Sequence, residues 1–229
     1  MLLLVTDTSG KQGSVALARA TDPAKPDETD LIEEVPLTGG AFSAQLVPQI
    51  AGLLAKHGFS KSDIGAFIVV SGPGSFTGLR VGLAAVKALA EVLQKPIVPV
   101  SLLELVALSS GSQGRVLTLL DAGRGEVYFG EYDVASGGGR LIREQLLAID
   151  SDEFLHAAKG RLVGTSDETL AAKMRALNIS VTPVAPIRAD TIAKVGCRKL
   201  RSGEVVSPGD LEANYIRRSD AEIFGKPVS

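Results

Sequence analysis

One order of secondary-structure elements is predicted twice along this chain, and this repeat constrains the fold more than any other feature. Each copy reads strand, strand, strand, helix, strand, helix. Each opens on an apolar segment that ends in an aspartate, LLLVTD at residues 2–7 and LTLLD at residues 117–121. Such segments are typical of strands buried on both faces of a sheet. The copies lie about 114 residues apart, which is too long for a solenoid repeat and indicates duplication of one α/β lobe.

The element boundaries follow from apolar periodicity and from glycine-rich stops. The first copy is predicted to have strands at residues 2–6, 14–20, 31–37 and 64–71 and helices at 43–57 and 77–93. The second is predicted to have strands at 116–120, 126–134, 141–149 and 161–164 and helices at 152–159 and 167–177. A short strand and a helix close each copy, at 97–100 with 102–109 and at 180–184 with 190–201.

A segment rich in serine and glycine, residues 109–114, separates the two copies and predicts a linker. We therefore expect an N-terminal lobe at residues 1–110 and a C-terminal lobe at residues 111–229. In each lobe, three antiparallel strands extended by parallel strands would form a sheet flanked by helices. Pro48 lies inside the first predicted helix, so the regular part of that helix is expected either to start near Pro48 or to kink there.

Composition narrows the class of function. The formal net charge is −2 and the isoelectric point is about 5.8, whereas a protein that binds nucleic acid by itself usually carries a basic surplus. The single cysteine, Cys197, cannot form an internal disulfide and is predicted to be a small packing residue in a helix. No signal peptide and no membrane segment of about 18 apolar residues is predicted. We therefore expect a cytoplasmic protein without membrane association.

The segment SGPGSFTGLRVGLAAVKALA, residues 71–90, is the most informative part of the chain. It fits neither the Walker A pattern nor the dinucleotide fingerprint, so a structural tight turn is favoured over a phosphate site. The helix that follows has an apolar arc wider than one core contact needs. This arc predicts an intersubunit contact, with a helix wedged inside its own lobe as the alternative. The predicted interface residues are Leu46, Ile50, Leu53 and Leu54 of the first helix and Gly78, Val81, Gly82, Ala85 and Leu89 of the second.

Two aspartates are weak candidates for binding a metal–nucleotide. Asp7 and Asp121 each end a core strand just before a glycine-containing turn, where carboxylates of a duplicated fold can face a cleft. Turn formation by an acidic residue is the alternative. The only histidines, His57 and His156, are far apart, and neither H-E-x-x-H nor G-x-S-x-G occurs. We therefore predict no catalytic residue, no metal ligand and no cofactor, and we expect His57 to cap a helix.

Four segments occur in order along nearly the whole chain: DTSGKQGSVAL (7–17), GPGSFTGLRVGLAAVKALA (72–90), DAGRGEVYFGEYD (121–133) and ANYIRRSDAE (213–222). Together they resemble the TsaB (YeaZ) family. The resemblance implies a duplicated actin-like/Hsp70-like (ASKHA, ribonuclease H-like) α/β fold. It also implies a role in making N6-threonylcarbamoyladenosine (t6A) in tRNA, as a subunit that has lost its own nucleotide and metal site.

The resemblance further implies partners. These are a TsaD-like catalytic subunit that the chain would pair with and activate, a TsaE-like ATPase, and a homodimer formed through the helices at 43–57 and 77–93. Transfer RNA would be bound only through the complex. In one respect the sequence departs from the family, because Phe42 stands before Ser43 where members often carry histidine. That position cannot then depend on imidazole chemistry.

Two other functions stay open at this stage. The first is an independent small ASKHA-type ATPase or kinase that uses Asp7 and Asp121. A glycine pair that could hold adenine would favour it, and LVGTSD at residues 162–167 is a poor candidate. The second is a peptidase, against which the lack of any nucleophile–base or metal-ligand spacing argues.

Overall fold

The computed structural model describes residues 1–21, 28–136 and 138–216. The strands are β1 Leu2–Asp7, β2 Gln12–Ala20, β3 Thr29–Thr38, β4 Ile64–Gly72, β5 Ile97–Ser101, β6 Gly114–Gly123, β7 Glu126–Ala135, β8 Gly138–Ala148, β9 Val163–Thr165 and β10 Val181–Pro183. The helices are α1 Phe42–Lys56, α2 Phe76–Leu93, α3 Leu102–Ser109, α4 Asp152–Ala158, α5 Glu168–Ala176 and α6 Ala189–Arg201. The motif predicted at 213–222 ends outside the described residues.

Each half of the chain forms its own five-stranded sheet, and the two sheets have the same strand order. In the first sheet the strand order is β3-β2-β1-β4-β5, and in the second it is β8-β7-β6-β9-β10. In each, three antiparallel strands are extended by two parallel ones. The predicted duplication of one α/β lobe is therefore confirmed.

The first helix differs in one detail from the expectation. Helix α1 begins at Phe42 and continues through Pro48 to Lys56, so it does not start at the proline. Gly58 follows with a φ of 71°, in the left-handed region that glycine adopts without strain. This glycine lies two residues beyond Lys56, at the position where a left-handed residue commonly ends a helix.

Both faces of the first sheet are covered by helices. Helices α1 and α2 pack on one face, where side chains such as Leu4, Leu46 and Val86 form an apolar core. Helix α6 packs on the other face, and Cys197 is buried in that second cluster as predicted. The first sheet thus lies between two apolar layers.

Two helices pack against the sheet formed by the other half of the chain. Helix α3 follows the first sheet in sequence, yet Leu103 and Ala107 pack with Tyr132 on the second sheet. Helix α6 belongs to the second half of the chain and packs on the first sheet. The chain boundary between residues 110 and 111 stays a prediction, and the two halves are bound to each other by these exchanged helices.

The chain after α6 returns along the first lobe. Residues 206–216, here called the C-terminal strap, begin at an antiparallel bridge between Val206 and Ile97 of β5. Leu211 is buried in the core under α1 and α2, and Ile216 packs against the cluster of the second sheet. Within the described ranges, no helix has both the length and the hydropathy that a membrane span requires.

Candidate docking face and interlobe cleft

The space beside the glycines of α2 is filled by other residues of the same lobe. A Cβ atom on Gly78 would lie 2.1 Å from the carbonyl oxygen of Thr8, and one on Gly82 would lie 2.2 Å from Thr8 Oγ1. Ser75 caps the helix by accepting the Gly78 N–H at 3.3 Å. These glycines therefore let the turn after β1 approach α2, and the predicted approach of a second subunit at Gly78 and Gly82 is corrected.

The apolar residues predicted on α1 also contact their own lobe. The side chains of Leu46, Ile50, Leu53 and Leu54 are between 1% and 6% exposed and belong to the core above the first sheet. Helix periodicity shows which residues share a face but not what that face contacts. Here the face packs on the chain's own sheet and on α2, so it offers no surface to a partner.

An exposed face of small and apolar side chains remains beside that core. We call it the outer face of α1 and α2. It comprises the exposed residues Ala44, Val47, Pro48, Ala51 and Ala55 on α1 and Thr77, Ala84, Ala88 and Val92 on α2, together with the half-buried Val81. On each helix these positions fall within an arc of about 100°. Val47 is 52% exposed and Val92 is 74% exposed.

Three of the predicted interface residues lie on or beside this face. Val81 belongs to it, while Ala85 and Leu89 are half-buried at its border with the core. Because α1 and α2 pack directly on each other and on the same side of the sheet, their exposed arcs both point away from the sheet. The result is a two-helix surface whose ten residues carry no charge and which the exposed Glu91 of α2 borders.

A second feature is the cleft between the lobes, with a volume of about 720 Å³. The first lobe contributes Ser9, Lys11 and Gly74 to its lining, and the second contributes Asp121 and Ser166. The structure therefore brings the turn after β1 and the corresponding turn after β6 to one site. Of the two aspartates that end the equivalent strands, Asp121 lines the cleft, whereas Asp7 is not among the lining residues.

The two aspartates bind their own turns. Asp7 Oδ1 accepts hydrogen bonds from the backbone N–H of Ser9 at 2.8 Å and from its hydroxyl at 2.6 Å. Burial raises the pKa of Asp7, the two Ser9 bonds oppose that rise, and the charge of Glu34 adds to it. Asp121 is exposed, and its Oδ1 accepts the Gly123 N–H at 3.0 Å. Both carboxylates thus have the turn-forming contacts that were the alternative to ligand binding.

Other candidate side chains are engaged in packing or capping. His57 is the C-cap residue of α1, and its Nε2 lies 2.7 Å from Glu33 Oε2. The ring of Phe42 lies between Gly13 and Gly78, close enough that a Cβ on either glycine would approach it within about 3 Å. The position at which family members often carry histidine is therefore a packing position. Within residues 1–21, 28–136 and 138–216, no group of three or more His, Cys, Asp or Glu side chains could hold a metal ion.

Comparison with known proteins identifies the family to which this chain belongs. The family model for TsaD, described as tRNA N6-adenosine threonylcarbamoyltransferase, matches residues 36–187, more than half of the chain. The TsaB protein of Escherichia coli, described as a tRNA threonylcarbamoyladenosine biosynthesis protein, is 27% identical over 96% of each chain. The chain belongs to the TsaD family, in its TsaB (YeaZ) group.

Further relatives agree with the TsaB grouping. The TsaB protein of Bacillus subtilis is 33% identical over 60% of this chain and 57% of its own length, so that alignment spans just over half of the relative. A solved structure described as having similarity to peptidase YeaZ from Pseudomonas aeruginosa is 26% identical with a TM-score of 0.72, over 94% of this chain and 99% of that one. The fold is the duplicated actin-like, ribonuclease H-like α/β fold that the TsaB resemblance implied.

Sequence reasoning missed a polar cluster that joins the C-terminal strap to both lobes of this TsaB-family chain. Glu144 of β8 binds Ser101, Tyr132 and Asn214. Arg80 of α2 contacts Tyr215 of the strap. The partners lie up to 135 residues apart in sequence, so no local pattern indicates them. The one sequence signal for this cluster is the motif at 213–222, which is recognised from its resemblance to the TsaB family and not from its physical chemistry.

Proposed function

We propose that this chain is a non-catalytic scaffold subunit of the machinery that makes t6A in tRNA. In this role it pairs with a TsaD-like catalytic subunit and activates it. The observation that carries the proposal is the outer face of α1 and α2, an uncharged two-helix surface left exposed beside a complete core. The names of the TsaB relatives, which describe t6A biosynthesis proteins, supply the pathway.

The chemistry of the outer face suits a helical partner. Monomeric soluble proteins rarely expose large contiguous apolar surfaces, and those that do usually bind another protein there. Side chains such as Ala51, Ala84 and Ala88 are short, so two helices of a partner can approach closely and pack as in a four-helix bundle. A TsaD-like subunit shares the family fold and would present the equivalent pair of helices.

The remaining partners follow from this arrangement. A second copy of this chain carries the same face, so a homodimer and the TsaD-like complex would compete for it. A TsaE-like ATPase would join the assembled pair, and tRNA would be bound through the complex. The turn-forming contacts of Asp7 and Asp121 support a subunit that supplies no catalytic group.

Light scattering tests the pairing. We expect the purified chain to have the mass of a homodimer, and we expect addition of the TsaD-like subunit to convert it into a heterodimer. The competition arises because both complexes bury the same outer face. A chain that stays strictly monomeric and also ignores the partner would contradict the proposal.

An independent ATPase or kinase is the second candidate, because the interlobe cleft of about 720 Å³ is large enough for a nucleotide. Calorimetry with ATP and magnesium distinguishes the two functions. We expect binding weaker than about 1 mM, since Asp7 and Asp121 are committed to their turns. Micromolar binding that Asp7→Ala abolishes, with Glu28→Ala as a surface control, would favour the ATPase.

A further inference from the structure

The C-terminal strap touches both lobes in one short stretch. At its start the Val206 N–H donates to the Ile97 carbonyl at 2.9 Å, and Leu211 is buried in the core of the first lobe. At its end Ile216 packs on the second-lobe cluster that includes Tyr128. The strap therefore spans the junction between the two lobes.

A single carboxylate, that of Glu144, accepts three side-chain hydrogen bonds at that junction. Glu144 Oε1 accepts from the Ser101 hydroxyl at 2.6 Å and from the Tyr132 hydroxyl, and Glu144 Oε2 accepts from the side-chain amide of Asn214. The backbone N–H of Asn214 donates to the Ser71 carbonyl at 2.7 Å. Asn214 thus bonds the end of β4 in the first lobe and β8 in the second at the same time.

The strap has a second anchor on α2. The Arg80 guanidinium lies 3.6 Å from the centre of the Phe76 ring, and its Nε donates to the Tyr215 hydroxyl at 3.2 Å. The rings of Phe76 and Tyr215 are 5.2 Å apart, within the range of favourable aromatic contacts. This stack holds the residue next to Asn214 and so limits how far the amide can move from Glu144.

We propose that the Asn214–Glu144 pair is a lock that fixes the angle between the two lobes without a bound ligand. In two-lobed proteins, closure is commonly driven by a ligand that both lobes contact. Here the chain makes those contacts itself, and hydrogen bonds to a charged carboxylate are stronger than neutral ones. The interlobe cleft then keeps one geometry whether or not anything occupies it.

Distance measurements between the lobes test the lock. Spin labels at Lys61→Cys in the first lobe and Lys173→Cys on α5 would report the interlobe distance by double electron–electron resonance. Both positions are exposed, whereas Cys197 is buried and stays unlabelled in the folded chain. We expect one narrow distance distribution for the otherwise native chain, and the same distribution after ATP and magnesium are added.

Two isosteric substitutions address the pair directly. Asn214→Asp places a second carboxylate against Glu144 and should move more than about half of the molecules to a broader, longer distance distribution. Glu144→Gln removes the charge but keeps a hydrogen bond, because a side-chain amide can rotate to pair its N–H with the oxygen of the other amide, so it should open fewer molecules than Asn214→Asp. The double variant exchanges donor and acceptor, since the glutamine oxygen can still accept from Ser101 and Tyr132 while its amide donates to the new carboxylate. It should restore the narrow distribution.

A matched control and a fallback variant complete the test. Glu212→Gln removes an exposed carboxylate from the same strap and should leave the native distribution unchanged. Asn214→Ala deletes the donor without adding a charge and replaces Asn214→Asp if that variant does not fold. A native distribution in a folded Asn214 variant would overturn the lock. So would a double variant that stays as open as Asn214→Asp alone.

Discussion

Replacing Gly78 by alanine should destabilise the first lobe by about 1–3 kcal/mol, the usual cost of overpacking a core. A Cβ there would lie 2.1 Å from the backbone oxygen of Thr8. A backbone atom cannot rotate away as the end of a side chain can, so α2 or the turn after β1 must shift. The cost is therefore expected at the upper end of that range.

Gly52 supplies the matched control because it occupies an exposed turn of α1 with nothing within 4 Å of an added Cβ. Gly52→Ala should stabilise the chain by up to about 1 kcal/mol, since glycine is a poor helix former. Urea unfolding followed by circular dichroism measures both variants. A Gly78→Ala variant as stable as the native chain would contradict the close contact with Thr8.

A charge at the centre of the outer face should abolish docking without unfolding the chain. Ala88 is exposed on α2 and lies within the arc of small side chains. Glutamate forms helices nearly as well as alanine, so Ala88→Glu should preserve the melting temperature. In a complex that buries this face, however, the carboxylate would have no partner and would cost about 3 kcal/mol, or roughly a 100-fold loss of affinity.

The same substitution elsewhere separates docking from general effects. Ala172 is exposed on α5 of the second lobe, away from the outer face. Ala172→Glu should bind the TsaD-like subunit as the native chain does. Equal affinities of the Ala88→Glu and Ala172→Glu variants for that subunit, measured by calorimetry, would remove the outer face as the docking site.

The repeated order of elements could be predicted because each strand and helix has a local apolar pattern. Most strand pairings of both sheets follow from the preference of consecutive strands to pair, but those of β1 with β4 and of β6 with β9 do not. The contacts of α2 could not be predicted in the same way. Gly78 and Gly82 are predicted to contact a second subunit, whereas both glycines contact Thr8, which lies 70 residues before Gly78 in the sequence.

Long-range contacts account for the other differences. The crossing of α3 to the second sheet and of α6 to the first depends on packing between halves of the chain, which no local pattern encodes. The bonds of Glu144 to Ser101 and Asn214 join residues 43 and 70 positions away. For Asp7 and Asp121, the sequence pattern is compatible with both ligand binding and turn formation, and the observed hydrogen bonds are those of turns.

The most direct test of the scaffold role is t6A formation measured against the concentration of the TsaD-like subunit. The reaction would contain tRNA, ATP, threonine, bicarbonate and the other pathway proteins, with this chain supplied as the native form, Ala88→Glu or Asp121→Ala. If this chain acts only by docking, Ala88→Glu should be nearly inactive at low partner concentration and should recover at high concentration, while Asp121→Ala should behave as the native chain. A folded Asp121→Ala variant that binds its partner normally but forms no t6A would show instead that this subunit contributes to the chemistry.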